Sequence, residues 1–391
     1  MNRRPKIAFV TPDDPTDRRS WSGINHYMAA ALEKHCGDVR FLGPVRSRLD
    51  AAGRAVDRAS RRVFRKGYDF THSVVLARRY AQIIQRRLDR EAFDVIFAAS
   101  ASTDVAYLRT AIPIVYLSGT TFRLMNGYYP YLSNLVSASV REGDRIEGLA
   151  IRKASLLLYP SEWAARSARA DYGADGSKIH VIPYGANLDE IPPRERVLAR
   201  KESGECRLLF LGVDWERKGG EIAFETLLAL ESLGVQAHLT VCGSVPPPGL
   251  SHERMKTIPF LDKGDAVQRQ ALADLLSTSD FLLLPTRSEC FGIVFCEASA
   301  FGLPVIATDT GGVSGAVRPG ANGVLLSPSA RGGEYAEVIR ELYADPGRYR
   351  RLVRSARDAF EDRLNWDAWG RAVGRVIAEM LDSRLRPDSA A

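Results

Sequence analysis

The sequence has few cysteines and no long apolar run. Its five cysteines are an odd number and contain no C-x2-C pair, which disfavours a disulfide scaffold and indicates a reduced compartment. No apolar stretch approaches the ~20 residues that a membrane-spanning helix needs. Residues 1–10 hold only a four-residue apolar run among charges, so we expect no signal peptide there. These absences predict a cytoplasmic protein, and they leave peripheral contact with a membrane open.

Patterns typical of a metal site are also missing. The chain has no D-x-D sequence, and its six histidines are scattered without the spacing of metal ligands. We expect each histidine to lie on the surface or in a core. The sequence has no Ser/His/Asp or Cys/His grouping that would suggest a protein nucleophile. The sequence therefore predicts no metal and no cofactor.

The chain is long enough for two domains and has an ordinary globular composition. Its 391 residues exceed one typical core, and 45% of them are apolar and 26% charged. Short apolar runs alternate with helical or loop stretches, and the alternation restarts after a charged linker. This pattern predicts mostly parallel, doubly wound sheets. The predicted domains are residues 1–195 and 206–364, with a last helix over 365–382. The predicted strands are Lys6–Thr11, Val39–Leu42, Asp94–Ala99, Ile112–Leu117, Ser155–Tyr159, Ile179–Pro183, Cys206–Gly212, Ala237–Cys242, Thr257–Leu261, Asp280–Leu284, Pro304–Thr308 and Gly323–Leu326.

The most informative stretch runs from Arg287 to Ala298. The apolar run Asp280–Leu284 before it predicts a strand, and the residues after its loop predict a helix that stops at Gly302-Leu-Pro304. In an open α/β sheet, the loop after such a strand lies where ligands bind. A helix N-terminus offers unpaired N–H groups and a partial positive charge, which suit a phosphate.

Two carboxylates make this stretch specific. Glu289 stands in the loop and Glu297 about one turn into the helix, both among apolar neighbours. A carboxylate in apolar surroundings is costly unless its oxygens accept hydrogen bonds, and pairs of sugar hydroxyls can donate them. A ligand with hydroxyls at both ends and a diphosphate between them, a nucleotide sugar, fits all these groups. The alternative is two solvated surface glutamates.

Glu289 and Glu297, with seven residues between them, resemble the E-x7-E motif of the retaining GT-B glycosyltransferases, the family 4 or group 1 class. The resemblance continues through 302–307, 310–312 and 320–326 and covers nearly the whole chain more weakly. It implies an α/β GT-B fold, in which two Rossmann-like doubly wound domains face each other across a cleft and the last helix crosses back to the first domain. It also implies retaining transfer of a sugar from a nucleotide diphosphate sugar to an unidentified acceptor, such as a glycan, a glycolipid or a cell-envelope precursor.

The resemblance assigns roles to residues. In the family the first Glu lies against the donor sugar and the second holds the ribose hydroxyls. Lys218 matches the family's Lys before a glycine, whereas the family's Arg position holds Val213 or Asp214, so we interpret Arg217 as its substitute. Fixed cations at this βα turn stabilise a diphosphate leaving group; the alternative is a solvated basic turn. The predicted catalytic residues are Glu289, Lys218 and Arg217. The predicted donor-binding residues are Gly23, Phe291, Gly292, Ile293 and Glu297.

The chain departs from the family on the acceptor side. Family members often carry a histidine at the end of the fourth strand, and here Ser118 or a neighbour replaces it. Ser118, Gly119 and Thr120 are therefore the acceptor-side candidates. The favoured mechanism is front-face: an oxygen of the leaving diphosphate takes the proton of the acceptor hydroxyl, and attack occurs on the same side. Two alternatives stay open, namely a nucleotide-sugar epimerase of the same fold and a degenerate member that binds nucleotide sugars as a sensor or scaffold.

Positive charge is concentrated between Arg46 and Arg90. This segment holds thirteen Arg or Lys and four Asp, a net charge of +9, against +7 for the whole chain. Ala52, Val56, Ala59 and Val63 form one helical stripe, and Arg54, Arg58, Arg61 and Arg65 form another that faces the opposite way. One interpretation is a solvated basic face over the core of the first domain. The other is contact with an anionic membrane leaflet or with the phosphate of a lipid-linked acceptor. No nucleic-acid partner is predicted.

Overall fold

The computed structural model describes residues 3–199 and 204–385. The chain divides into two compact units, one of Met1–Ile182 with Trp369–Ala391 and one of Pro183–Ala368. We call them the N-terminal unit and the C-terminal unit. The division falls after Ile182, whereas the sequence placed the boundary in a linker that ends at residue 205. Residues 200–203 of that linker lie outside the described part.

The described residues contain twelve strands and fifteen α-helices. The strands are β1 (Lys6–Val10), β2 (Asp38–Phe41), β3 (Val95–Ala99), β4 (Ile114–Leu117), β5 (Leu156–Tyr159), β6 (Ile179–Val181), β7 (Cys206–Leu211), β8 (Ala237–Cys242), β9 (Met255–Ile258), β10 (Phe281–Leu284), β11 (Val305–Thr308) and β12 (Gly323–Leu326). The helices are α1 (Ile24–His35), α2 (Leu49–Phe64), α3 (Val74–Leu88), α4 (Ser102–Val105), α5 (Phe122–Met125), α6 (Ser137–Lys153), α7 (Glu162–Tyr172), α8 (Arg194–Leu198), α9 (Gly220–Ser232), α10 (Ala266–Thr278), α11 (Ile293–Ala300), α12 (Val313–Ala316), α13 (Gly332–Ala344), α14 (Pro346–Asp362) and α15 (Trp366–Leu385).

The N-terminal unit is built on a parallel sheet in the order β2-β1-β3-β4-β5-β6. Its central strands are continuous apolar runs because helices cover both faces of a parallel sheet; β3 and β4 are buried along their whole length. The strand order reverses between β1 and β3, so the switch point of this sheet lies there. The loops that follow β1, β3 and β4 all leave from the same edge.

The C-terminal unit has a second parallel sheet, in the order β12-β11-β10-β7-β8-β9. Counted from β7, this is the 3-2-1-4-5-6 order of dinucleotide-binding folds, whose switch point lies between the first and fourth strands. In this unit those strands are β7 and β10, which are hydrogen-bonded neighbours. Ligands of such sheets bind outside the carboxyl ends of the strands at this position.

The end of the chain belongs to the N-terminal unit. Helix α15 begins at Trp366, and from Trp369 onward its residues are part of that unit. Trp369 is buried, and its ring meets the ring of Phe97 on β3 edge-on at 6.1 Å. The thiol of Cys36 donates to the carbonyl of Gly370 at 3.5 Å. Burial of an indole in the core anchors the helix on this unit.

The predicted fold class, two α/β domains with doubly wound parallel sheets, is confirmed. Each of the twelve predicted strands overlaps a strand of the structure. The largest displacement is in β9, which covers Met255–Ile258 rather than Thr257–Leu261. This strand lies at the sheet edge and none of its residues is buried, so its apolar signal is weak.

Candidate active site

Two βα turns meet at the switch point of the C-terminal unit. One joins β7 to α9 and carries Arg217 and Lys218; the other joins β10 to α11 and carries Glu289. Gly219 brings them together: it has φ 78°, and a Cβ there would lie 2.0 Å from the carbonyl oxygen of Pro285. The backbone N–H of Arg287 donates to the carbonyl of Arg217 at 2.7 Å and so joins the two turns. The backbone N–H of Gly312, in the loop after β11, donates to the carbonyl of Glu289 at 2.9 Å and holds the second turn from the other side.

Lys218 and Glu289 form a largely buried ion pair. The ammonium of Lys218 donates to Oε2 of Glu289, and each side chain is only 11% exposed. The guanidinium of Arg217 lies 4.0 Å from the same oxygen and donates to the carbonyl of Ser288 at 3.0 Å and to Asp214 at 3.2 Å. The three predicted catalytic residues, Glu289, Lys218 and Arg217, thus lie together in space. Their side chains are largely buried, so the alternatives of a solvated basic turn and a solvated surface Glu289 are wrong.

The charge state of Glu289 follows from these neighbours. Burial by itself raises the pKa of a carboxyl group because it penalises the charged form. Here the ammonium of Lys218, the guanidinium of Arg217 and a hydrogen bond from the backbone of Phe291 outweigh burial, and the pKa of Glu289 lies below its ordinary value. Glu289 is therefore an ionised acceptor of hydrogen bonds at neutral pH and is poorly suited to act as a general acid.

Glu297 has a lysine of its own, which sequence reasoning missed. Glu297 lies in α11, is 2% exposed, and accepts a hydrogen bond from the ammonium of Lys263. Lys263 follows β9, so it leaves the sheet from the same edge as Lys218. The sequence does contain a signal for Lys263: the dipeptide Lys263-Gly264 comes shortly after a predicted strand, as Lys218-Gly219 does. Each buried glutamate of the E-x7-E pair is thus neutralised by a lysine from another βα loop.

The backbone between the two glutamates forms the start of α11. Gly292 precedes the helix with φ 86°, and a Cβ there would lie 2.4 Å from the ring of Phe295. Phe291 is buried, with its ring edge-on to Tyr184 at 5.1 Å, and Ile293 is buried as well. The first N–H groups of a helix have no partner within it. Since Glu289 and Glu297 flank this helix start, an anionic group and hydroxyl groups can be bound side by side.

The other predicted residues lie in the N-terminal unit. Gly23 caps α1 with φ 84° and follows two further residues of positive φ, Trp21 and Ser22. Such a run is strained for residues other than glycine and is often found at functional sites. Ser118 is buried, and its hydroxyl donates to the carbonyl of Thr120 at 2.6 Å. Ser118, Gly119 and Thr120 form the loop at the carboxyl end of β4.

A buried acidic network lies next to this loop. The hydroxyl of Tyr116, at the end of β4, is 3.1 Å from both carboxyl oxygens of Glu147 on α6. Burial raises the pKa of Glu147 to about 7, and burial likewise raises the pKa of Asp104 to about 7. His72 lies beside this network, with Nδ1 2.6 Å from Asp69. Nothing in the sequence pattern set these groups apart.

Two family models together match nearly the whole chain. The model described as "Glycosyltransferase Family 4" matches residues 24–190, and the one described as "Glycosyl transferases group 1" matches residues 195–359. The chain belongs by sequence to glycosyltransferase family 4, group 1. The predicted family is therefore confirmed, and both glutamates, Lys218 and Lys263 lie within the group 1 match.

Curated relatives of this family include D-inositol 3-phosphate glycosyltransferases. That of Xylanimonas cellulosilytica is 32% identical over 233 residues, which are 54% of this chain and 54% of the relative. That of Streptomyces bingchenggensis is 30% identical over 298 residues, which are 70% of this chain and 63% of the relative. The chain thus spans between about half and two thirds of the length of these curated relatives.

Solved structures of the same fold cover nearly all of the chain. Sucrose-phosphate synthase from Thermosynechococcus elongatus has a TM-score of 0.69 at 17% identity, covering 97% of this chain and 100% of that one. Anabaena HepE in complex with UDP and glucose has a TM-score of 0.61 at 18% identity, with coverage of 97% and 100%. At these identities the likeness concerns the fold.

Two further features of the family member concern metals and membranes. Within residues 3–199 and 204–385, no three His, Cys, Asp or Glu side chains are grouped so that they could hold a metal ion. The helices of the same ranges include none with the length and apolar character needed to cross a bilayer.

Proposed function

We propose that this chain transfers a sugar from a nucleotide diphosphate sugar to a hydroxyl acceptor with retention at the anomeric carbon. The observation that carries the proposal is the convergence of Lys218, Arg217 and Glu289 at the switch point between β7 and β10. This is the edge where sheets of this order bind dinucleotides. Family membership and the UDP named for Anabaena HepE support the same class of donor.

The ion pairs Lys218–Glu289 and Lys263–Glu297 support a specific mode of donor binding. A buried carboxylate needs partners, and Lys218 and Lys263 supply them. When the donor binds, its sugar hydroxyls donate to Glu289 and its ribose hydroxyls donate to Glu297. The ammonium of Lys218 and the guanidinium of Arg217 then bind the diphosphate. Binding therefore exchanges one set of satisfied polar contacts for another, at little cost in desolvation.

The chemical step follows from the same charges. The bond between the anomeric carbon and the diphosphate oxygen breaks, and its electron pair leaves with the diphosphate. Lys218 and Arg217 stabilise the negative charge that develops there. The acceptor hydroxyl attacks from the same face and gives its proton to an oxygen of the leaving diphosphate. Glu289 positions the donor sugar, and no protein nucleophile takes part.

Acceptor binding is assigned to the N-terminal unit. The loop of Ser118, Gly119 and Thr120 leaves the carboxyl edge of its sheet, where a ligand of an α/β unit binds. Gly23, the donor-side candidate of this unit, follows β1 at the same edge. Loops rather than the sheet set substrate choice in such folds. The base and sugar of the donor and the identity of the acceptor are not specified by these residues.

A thermal-shift screen over UDP-, GDP- and ADP-sugars tests the proposed donor class. One nucleotide series is expected to raise the unfolding temperature of the wild type, because a ligand that binds only the folded state stabilises it. Glu297→Ala is expected to reduce that shift, because it lowers nucleotide affinity at least about tenfold. Arg340→Gln, which removes an exposed pair with Glu337, is the matched control and should keep it. No shift with any nucleotide sugar at millimolar concentration contradicts the proposal.

A further inference from the structure

Helix α2 packs on the N-terminal unit through its polar side. The residues that face the unit are Asp50, Gly53, Asp57 and Ser60, which recur every three or four positions and so share one face. Tyr80 donates to Asp50 at 2.9 Å, the backbone of Tyr68 donates to Asp57 at 2.8 Å, and Ser60 donates to the carbonyl of Lys66 at 2.7 Å. These hydrogen bonds, together with the close approach of Gly53 to the ring of Phe70, attach the helix to the unit.

The apolar stripe of α2 consequently faces away from the unit. Val56 is 50% exposed and Val63 68%, and Ser60 is the one buried residue of the helix. The solvated basic face that one sequence interpretation expected is present, since the arginines of α2 are exposed. Its apolar stripe does not pack on a core, because the positions that face the unit are taken by Asp50, Asp57 and Ser60. Two exposed valines on one flank of a helix offer an apolar contact surface to a partner outside the unit.

The arginines lie on the other flank of the exposed surface. Arg54, Arg58, Arg62 and Arg65 are all exposed. Together with Arg46, Arg48, Arg61 and Lys66, they give the helix and its two ends eight cations. The carboxylates within Arg46–Lys66 are Asp50 and Asp57. Both accept the hydrogen bonds described above, and Asp57 also forms an ion pair with Arg61 at 3.0 Å, which leaves seven cations without a carboxylate from this segment. The outer surface of α2 is therefore apolar on one side and strongly basic on the other.

We propose that α2 binds an anionic lipid surface and lies along it with Val56 and Val63 inserted between the headgroups. A helix with this division of apolar and basic residues suits the interface between headgroups and acyl chains. Its 16 residues span about 24 Å, and its arginines can extend their charged ends to the lipid phosphates while their stems cover apolar surface. The binding is independent of the glycosyl transfer proposed above.

The exposed valines favour a lipid surface over nucleic acid. A nucleic-acid backbone attracts Arg and Lys through its phosphates and offers nothing to an aliphatic stripe. A bilayer interface accepts both groups at once, and apolar burial adds to the electrostatic attraction. Loss of binding on removal of the valines therefore distinguishes a lipid surface from a general polyanion surface.

Vesicle sedimentation with the 391-residue chain tests the proposal. The wild type is expected to sediment with phosphatidylglycerol vesicles in low salt, far less with phosphatidylcholine vesicles, and less at 0.5 M salt because exposed charges are screened. Arg58→Gln with Arg62→Gln should weaken partitioning about 30-fold, since each cation near an anionic leaflet contributes about 1 kcal/mol. Val56→Ser with Val63→Ser should weaken it about tenfold or more.

Matched double variants in the C-terminal unit serve as controls. Arg351→Gln with Arg354→Gln removes the same charge from the exposed side of α14, and Val245→Ser with Val267→Ser removes two exposed valines. Both should bind vesicles like the wild type. A wild type that stays in the supernatant at low salt overturns the proposal. So does serine substitution of Val56 and Val63 without effect, or binding of duplex DNA as tight as that of the vesicles.

Discussion

The ion pair between Lys218 and Glu289 can be tested by removing its cation. Lys218→Met leaves the Glu289 carboxylate 11% exposed, with Arg217 at 4.0 Å and the backbone N–H of Phe291 as remaining partners. Loss of one partner from a buried pair costs about 3–5 kcal/mol. Because Arg217 remains and the site is not fully closed, we expect about 2–3 kcal/mol of lost stability in the C-terminal unit at pH 7.

Protonation sets an upper limit on this cost. If the unpaired carboxylate is too costly, Glu289 binds a proton instead. Moving the pKa of a glutamate from its ordinary 4.5 up to 7 corresponds to about 3.4 kcal/mol, at 1.36 kcal/mol per pKa unit. The destabilisation by Lys218→Met should therefore shrink as the pH falls from 7 to 4.5. Glu289→Gln in the same chain removes the buried charge, and the double variant should lose about 1 kcal/mol only.

Amide hydrogen exchange followed by mass spectrometry is the assay. Peptides from β7 and β10 report the opening free energy of the C-terminal unit without the assumption that both units unfold together. The single and double variants form a double-mutant cycle, in which we expect a coupling energy of about 2 kcal/mol. Arg340→Met, which removes an exposed pair with Glu337, should change the same peptides by less than about 0.5 kcal/mol. Two results would refute the ion pair. One is that the free-energy changes of the two single variants add up to that of the double variant; the other is that the destabilisation by Lys218→Met does not depend on pH.

The remaining predictions concern the donor, metals and pH. Glu297→Ala should lower nucleotide affinity at least about tenfold, because a lost hydrogen bond to a charged group costs about 1.5–3 kcal/mol, whereas Glu289→Gln should lower mainly turnover. Calorimetric titration and rate measurements check this, and wild-type affinity and turnover in both variants would rule the assignment out. Turnover should survive excess EDTA, since Lys218 and Arg217 supply the charge that a metal otherwise brings; loss of activity that Mn²⁺ restores contradicts this. The stability of the N-terminal unit should fall as the pH rises from 4.5 to 7: the folded chain keeps a proton on Glu147, whose pKa is about 7, that the unfolded chain releases near 4.5. Glu147→Gln should remove up to about 3 kcal/mol of this dependence in pH-dependent urea unfolding, and an unchanged slope would show that the buried carboxyl does not titrate in this range.

The central strands of both sheets were predictable because strands covered on both faces are apolar along their whole length. β10, for example, is Phe-Leu-Leu-Leu, and all four residues are buried. The approach of Lys218 to Glu289 was also predictable. Both follow parallel strands, and the carboxyl ends of parallel strands lie at one edge of a sheet. What the alternation alone does not fix is the strand order, which decides that β7 and β10 are neighbours.

Other features depend on contacts between distant residues and were missed or misjudged. Lys263 follows an edge strand of weak apolar character, so its loop was hard to place and its pairing with Glu297 was not expected. The orientation of α2 was misjudged because its attachment to the unit uses Asp50 and Asp57, whose partners Tyr80 and Tyr68 lie elsewhere in the sequence. An apolar stripe indicates a helix, but only tertiary contacts decide which face is covered.

The configuration of the sugar released from a nucleotide-sugar donor tests the central claim most directly. The donor that stabilises the protein is incubated with the wild type in the absence of acceptor, and the initial hydrolysis product is followed by proton NMR. Our account predicts slow release of a sugar with the anomeric configuration of the donor, at a rate that Lys218→Met lowers at least about tenfold, because Lys218 stabilises the leaving diphosphate. An inverted sugar contradicts the retaining mechanism, an epimerised donor contradicts glycosyl transfer, and tight binding without any release contradicts catalysis.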